Sequence, residues 1–137
     1  MFELSIATPE KVFYEDRVES LTAPGADGYL GVLSHHAPLI TTLLPGKVVV
    51  RDHEKQQIVF AVSGGFLEVS RNKATLLADA VELAEQIDLE RAKRAVARAQ
   101  ERIRKSEPEI DLSRALEALK RAENRIRIYE EHNPIRV

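Results

Sequence analysis

Cysteine and tryptophan are absent from this 137-residue chain, and methionine occurs once. Without cysteine there is neither a disulfide framework nor a thiolate metal site. Aromatic residues are 5% of the chain, so Val, Leu and Ile have to fill whatever core it builds. No apolar run approaches the roughly 18 residues that cross a bilayer as a helix. The start, Met1-Phe2-Glu3-Leu4, lacks the basic opening and apolar block of a signal peptide. The expectation is a chain that works in a cytoplasm-like compartment and meets a membrane only through partners. Catalytic signatures are missing as well: no Ser/His/Asp arrangement, no H-x-x-x-H and no P-loop pattern.

What is present is ordinary for a folded protein of one domain or two small ones, with 44% hydrophobic and 31% charged residues. The charge is unevenly spread. Residues 1–86 carry 7 Lys+Arg against 12 Asp+Glu, a net of −5, while 87–137 carry 13 against 10, a net of +3. An overall net charge of −2 therefore hides an acidic body and a basic tail, which suggests that the tail meets something acidic.

The body reads as strands. Phe2, Leu4 and Ile6 alternate with Glu3 and Ser5, the period of a half-buried strand, and Thr8-Pro9 closes it. Val12-Phe13-Tyr14 and Val18 to Leu21 predict two further short strands, and Pro24-Gly25-Ala26-Asp27-Gly28 is dense turn chemistry. Lys47 to Val50 and Gln57 to Val62 flank a polar stretch and predict a hairpin; Phe66 to Val69 and Ala74 to Leu77 predict another across Ser70-Arg71-Asn72-Lys73. Short strands at this spacing point to a β-sandwich or barrel over residues 1–85.

Residues 86–137 read as an antiparallel α-helical hairpin, making the whole an α+β chain of two domains. The pattern I-D-L-x-R-A occurs twice, at Ile87 to Ala92 and at Ile110 to Ala115. Each Asp is placed as a helix N-cap, with the preceding Ile in position for a staple-like contact. Leu89, Ala92, Val96, Ala99 and Ile103 form one narrow seam; Leu112, Ala115, Leu119, Ala122, Ile126 and Tyr129 form the other. Pro108, within Ser106-Glu107-Pro108-Glu109, breaks the helical run between them. Alanine-rich seams allow close approach but bury little area, so the hairpin is expected to open or re-dock.

Candidate chemistry is sparse. Adjacent His35 and His36 would point to opposite faces of a strand, and His53 and His132 are remote, so no metal site is expected. Gly64-Gly65 reads as a β-turn or bulge, and Glu15, Asp16 and Glu19 as solvated. The arginines of the tail form the strongest constellation. Arg91, Arg94 and Arg98 share one helix face and Arg121 and Arg125 another, and together they could converge on a phosphate. The plainer reading is a solvated basic face with pairs such as Glu117 to Arg121 or Glu101 to Lys105; an acidic protein partner is a third. Nucleic acid is disfavoured, because the basic segments lack interleaved aromatics.

Four segments, in order, carry a resemblance: Gly28 to Leu39, Ser63 to Val69, Ala74 to Asp79 and Ile87 to Ala92. Along essentially its whole length the chain resembles the epsilon subunit of the F-type (rotary) ATP synthase. The resemblance implies a non-catalytic central-stalk subunit that couples proton transport to ATP synthesis. In that family the sandwich sits against the gamma subunit and the c-subunit ring, through a loop that corresponds here to Tyr29, Gly31, His36 and Pro38. It also implies a movable hairpin that inhibits ATP hydrolysis by reaching the alpha and beta subunits. The implied location is peripheral, on the cytoplasmic side of a bacterial inner membrane or the stromal side of a thylakoid. No cofactor is required, but some members bind ATP as a regulatory ligand. The matching positions for ATP are Glu82, Ile87, Asp88, Arg91, Ala92, Arg98, Arg121 and Arg125. A free-standing ATP-binding sensor is the alternative function.

Overall fold

The computed structural model describes residues 1–105 and 111–132. The expected break at Ser106–Glu109 and the second staple residue, Ile110, lie outside the described residues. The chain divides into two units, Met1–Leu83 and Ala84–Val137.

The first unit is built from seven strands: β1 (Phe2–Ala7), β2 (Val12–Gly25), β3 (Gly28–Val32), β4 (Leu39–Asp52), β5 (Gln57–Ser70), β6 (Lys73–Ala78) and β7 (Val81–Leu83). The hydrogen-bonded order is β1-β6-β5-β4-β2-β3, and β1 also pairs with β2, so the sheet closes on itself. β3 and β7 are appended to β2 and β5. All pairings are antiparallel except β1 with β6, where Leu4 lies opposite Ala74 and Ile6 opposite Leu76. Closure removes most of the exposed edge that an open sheet would present. This is the β-sandwich, barrel-like in its closure, that the strand pattern predicts.

Alternation puts Phe2, Leu4 and Ile6 inside and Glu3 at the surface, as the period of β1 requires. Val18, Leu21, Val48, Val50, Leu67 and Leu76 are fully buried with them. Aliphatic side chains therefore supply most of this core, with Phe2 and Phe60 its buried aromatics; the ring of Tyr14 meets Phe60 edge-on at 5.7 Å between centroids.

The strands are longer than the sequence suggests. Val12–Tyr14 and Val18–Leu21 are parts of one strand that continues through Pro24 to Gly25, leaving Ala26-Asp27 as the tight turn into β3. β4 begins at Leu39, well before Lys47, and carries Pro45 within it. Gln57–Val62 and Phe66–Val69 are likewise one strand. Its first half pairs with β7 and its second with β6. Gly64 and Gly65 sit at the changeover with φ of 113° and 142°. A Cβ on Gly65 would overlap the Leu77 carbonyl, so the pair is a bend within β5 and not a turn that ends it.

In the second unit a single 3₁₀ turn, Ala84–Gln86, leads to α1 (Leu89–Lys105) and α2 (Leu112–His132), which pack on each other. Both predicted caps form. The Asp88 carboxylate accepts the Arg91 N–H at 3.0 Å, and the Asp111 carboxylate accepts the Arg114 N–H at 3.1 Å. The buried seam holds Ala92 and Ala99 of α1 with Ala115 and Ala122 of α2. One seam position is corrected: Leu112 is 49% exposed. A second buried stripe is new. Asn124 and Ile128 are buried on the side of α2 away from Ala122, where 3.6 residues per turn place them. The Ala84–Gln86 turn also lies against α2.

Candidate docking surfaces and the basic hairpin

α1 and α2 carry the arginines. Arg91, Arg98 and Arg121 are exposed, and among the described residues none of the three has an ion-pair partner. Arg125, half-buried, does interact. The expected pair Glu101–Lys105 forms at 3.9 Å, and Glu101 also takes the Arg104 guanidinium. That hydrogen bond, more than simple proximity of charge, holds the Glu101 carboxyl below its ordinary range and raises Arg104. Glu117 to Arg121 is not among the ion pairs of the described residues. The predicted basic face is thus partly self-neutralised near Glu101 and open at Arg91, Arg98 and Arg121.

The remaining positions of the motif are occupied by folding. Ile87 is buried, Ala92 is fully buried in the seam, and the Asp88 carboxylate caps α1. The second copy of the motif does the same at Asp111. Helix capping therefore accounts for both aspartates without a ligand. Glu82 stands half-buried in β7 of the first unit, opposite Ala61, and is engaged.

The first unit presents two surfaces. One is the segment from Tyr29 to Pro38. Gly31 is exposed, with open space where a Cβ would project, and Leu33 is 64% exposed. Pro38 is exposed, and His36 is half-buried with its Nδ1 2.7 Å from the Ala37 carbonyl. The expectation that the two histidines lie on a strand is corrected. Leu33 to His36 form a turn closed by the His36 N–H on the Leu33 carbonyl at 3.2 Å. His35 takes φ 62° at the position where such a turn needs a positive value. Tyr29 is half exposed, but its hydroxyl turns back and accepts the Lys47 N–H at 3.0 Å, closely packed against Gly46.

The other surface was missed in the sequence. On the outer face of the sheet, Phe66 and Leu77 are directly opposite each other at 58% and 51% exposure, and Ile40 on β4 is 75% exposed. The readable signal was the adjacent pairs Phe66-Leu67 and Leu76-Leu77, apolar on both faces of strands that otherwise alternate. Exposed apolar side chains on one sheet face make this a candidate interaction surface.

Among the described residues no cluster of His, Asp or Glu could hold a metal ion. His53 lies 3.5 Å from Asp16 and 3.6 Å from Glu54, all at the surface. The Tyr14 hydroxyl is buried without a hydrogen-bond partner, and burial, aided by Asp16 and Asp52, raises its pKa. No described helix is long and apolar enough to cross a membrane.

The chain is thus a closed β-sandwich with an apolar outer patch, followed by a basic helical pair, with no metal-binding cluster among the described residues. Comparison with known proteins gives the family. Residues 1–84 match the family described as ATP synthase, Delta/Epsilon chain, beta-sandwich domain, and residues 85–130 the one described as ATP synthase, Delta/Epsilon chain, long alpha-helix domain. Relatives named ATP synthase epsilon chain include that of Desulforamulus reducens, 50% identical over 73% of this chain and 75% of its own. That of Protochlamydia amoebophila is 46% identical over 75% of this chain and 70% of its own. A chain in the cryo-EM structure of the Euglena gracilis mitochondrial ATP synthase (OSCP/F1/c-ring) shares the fold with a TM-score of 0.78. It is 21% identical, and the match covers 88% of this chain and 76% of that one. This chain belongs to the delta/epsilon chain family of ATP synthases, whose epsilon chain is a non-catalytic subunit.

Proposed function

We propose that this chain is a central-stalk subunit of a proton-translocating ATP synthase, coupling proton transport to ATP synthesis and restraining ATP hydrolysis through its C-terminal hairpin. The observation that carries the reading is a hairpin with a thin alanine seam and exposed, unpaired Arg91, Arg98 and Arg121. Guanidinium groups without a carboxylate of their own are available to acidic segments of alpha and beta subunits. The small side chains between the helices leave the closed form weakly held. On the sandwich, the patch of Ile40, Phe66 and Leu77 suits a gamma subunit, and the segment of Tyr29, Gly31, His36 and Pro38 suits the c-subunit ring. The chain then reaches the membrane only through the complex, on the cytoplasmic side.

The test is a complex assembled with a chain lacking residues 88–137. Its ATP hydrolysis is expected to rise while assembly is retained. Unchanged hydrolysis with and without added nucleotide refutes the inhibitory role.

A second function of the same hairpin is favoured by open Arg91, Arg98 and Arg121: ATP as a regulatory ligand, held by these three with Arg125 of the same unit. In this reading Ile87, Asp88 and Ala92 contribute by building the start of α1. Calorimetry of the full chain with ATP is expected to show saturable binding, weakened at least about tenfold by Arg91→Ala or Arg125→Ala, since charge-assisted hydrogen bonds contribute about 1.5–3 kcal/mol each. Binding unchanged by both substitutions refutes the site.

A further inference from the structure

Residues 33–38 lie outside the strand ladder, between β3 and β4. The hydrogen bond that joins them to the rest of the sandwich comes from a distant residue: the His35 N–H donates to Asn72 Oδ1 at 2.8 Å. Asn72 belongs to the β5–β6 turn, 37 positions along the chain. Its side-chain Nδ2 donates to the Met1 carbonyl at 3.0 Å, and its own carbonyl accepts the Glu3 N–H at 3.2 Å. This orientation satisfies both ends of the amide; reversed, it would set donor against donor and acceptor against acceptor. One side chain thus ties three segments together, and the residue it grips is His35, held at φ 62° in the turn that shapes the segment.

The turn accounts for asparagine or glycine alike at this position and does not by itself require the amide. Arg71 and Asn72, at φ 52° and 58°, make the two-residue hairpin turn that glycine would serve equally well at 72. We infer that Asn72 is a positioning residue for the docking segment: its amide fixes the Leu33–His36 turn, and with it the presentation of Leu33 and Pro38 to the partner. The inference rests on the reading of residues 29–38 as partner-facing and adds a residue outside that segment on which docking depends.

The turn's tolerance of glycine supplies a clean test. Asn72→Gly keeps the backbone and removes the amide, whereas Asn72→Asp keeps the acceptor for His35 and loses the donor to Met1. In the isolated full chain, Asn72→Gly is expected to speed His35 amide exchange about tenfold, leaving Leu67 exchange unchanged, and Asn72→Asp to restore protection. Binding to an ATP synthase complex depleted of this subunit is expected to weaken about tenfold in Asn72→Gly and to recover in Asn72→Asp. Unchanged His35 exchange in Asn72→Gly overturns the role of Asn72 alone. So does a binding loss that follows a fall in melting temperature and is not recovered by Asp. Gly31→Asp, placed where a side chain meets open space, separates the two claims. If it leaves binding unchanged, the docking reading fails, and the docking role of Asn72 with it.

Discussion

The two units of this chain are held together by different amounts of the same interaction. The sandwich buries Phe2, Leu4, Ile6, Leu21, Leu67 and Leu76 almost completely. The seam between α1 and α2 is made of Ala92, Ala99, Ala115 and Ala122, with Ile87 and Ile128 the larger buried residues of that unit. At about 25 cal/mol per Å² of apolar surface, an alanine contributes a fraction of what a leucine does. The difference teaches that opening costs less in the helical pair than in the sandwich: large aliphatic side chains fill one interior, alanines line the other. Local caps at Asp88 and Asp111 each add about 1 kcal/mol to the start of a helix, independently of the seam.

Substitutions can break that contrast, beginning with the sandwich. Leu67→Ala removes a side chain that is wholly buried in the second half of β5. It is expected to cost about 2–5 kcal/mol in a denaturant unfolding series followed by strand signal. A loss below about 1 kcal/mol would mean that the core is not tightly packed. Asp88→Ala strikes the hairpin instead. Loss of the cap is expected to cost about 1 kcal/mol, read as faster amide exchange in the first turn of α1, with the exchange of β4 and β5 unchanged. A matching loss of protection in the strands would show that the two units unfold as one.

The smallest effect is expected at Tyr14. Its hydroxyl is buried without a partner, so Tyr14→Phe removes a desolvation cost and should be neutral or stabilising by about 1 kcal/mol. The sign of the pH effect follows from its raised pKa. The folded state holds the phenol proton more tightly than the unfolded chain does. The resulting contribution is complete below the unfolded value of about 10 and is lost as pH rises through the folded one. Alkaline melting curves of Tyr14→Phe should lack that loss; an identical alkaline decline in both proteins would refute it.

The legibility of the sequence followed the range of the interactions. Asp88 and Asp111 cap their helices within three residues of themselves, and the repeat that betrayed them was visible directly. The β5–β6 hairpin was equally local. The continuity of β5 was not, because Gly64-Gly65 looks like an end when the Leu77 carbonyl that crowds Gly65 is not in view. β4 was likewise shortened to start at Lys47, because its first part from Leu39, with Pro45 opposite Ser63, is defined by pairing with β5. Ile128 escaped because a two-seam pattern assumes one buried face per helix, and α2 has two. In the candidate sites, the open arginines were legible as a face, since i and i+4 positions on a helix do not depend on the rest of the fold. The lack of carboxylate partners at Arg91, Arg98 and Arg121, the apolar patch on the outer sheet and the reach of Asn72 to His35 all depend on tertiary placement.

The central claim is that the hairpin opens more easily than the sandwich. Native-state amide hydrogen exchange on the full chain, measured with and without saturating ATP, tests it most directly. Amides of α1 and α2 are expected to exchange through openings of lower free energy than those of Val48, Val50, Leu67 and Leu76, and ATP is expected to protect the helices selectively. Equal opening free energies across strands and helices, unaffected by ATP, would contradict it.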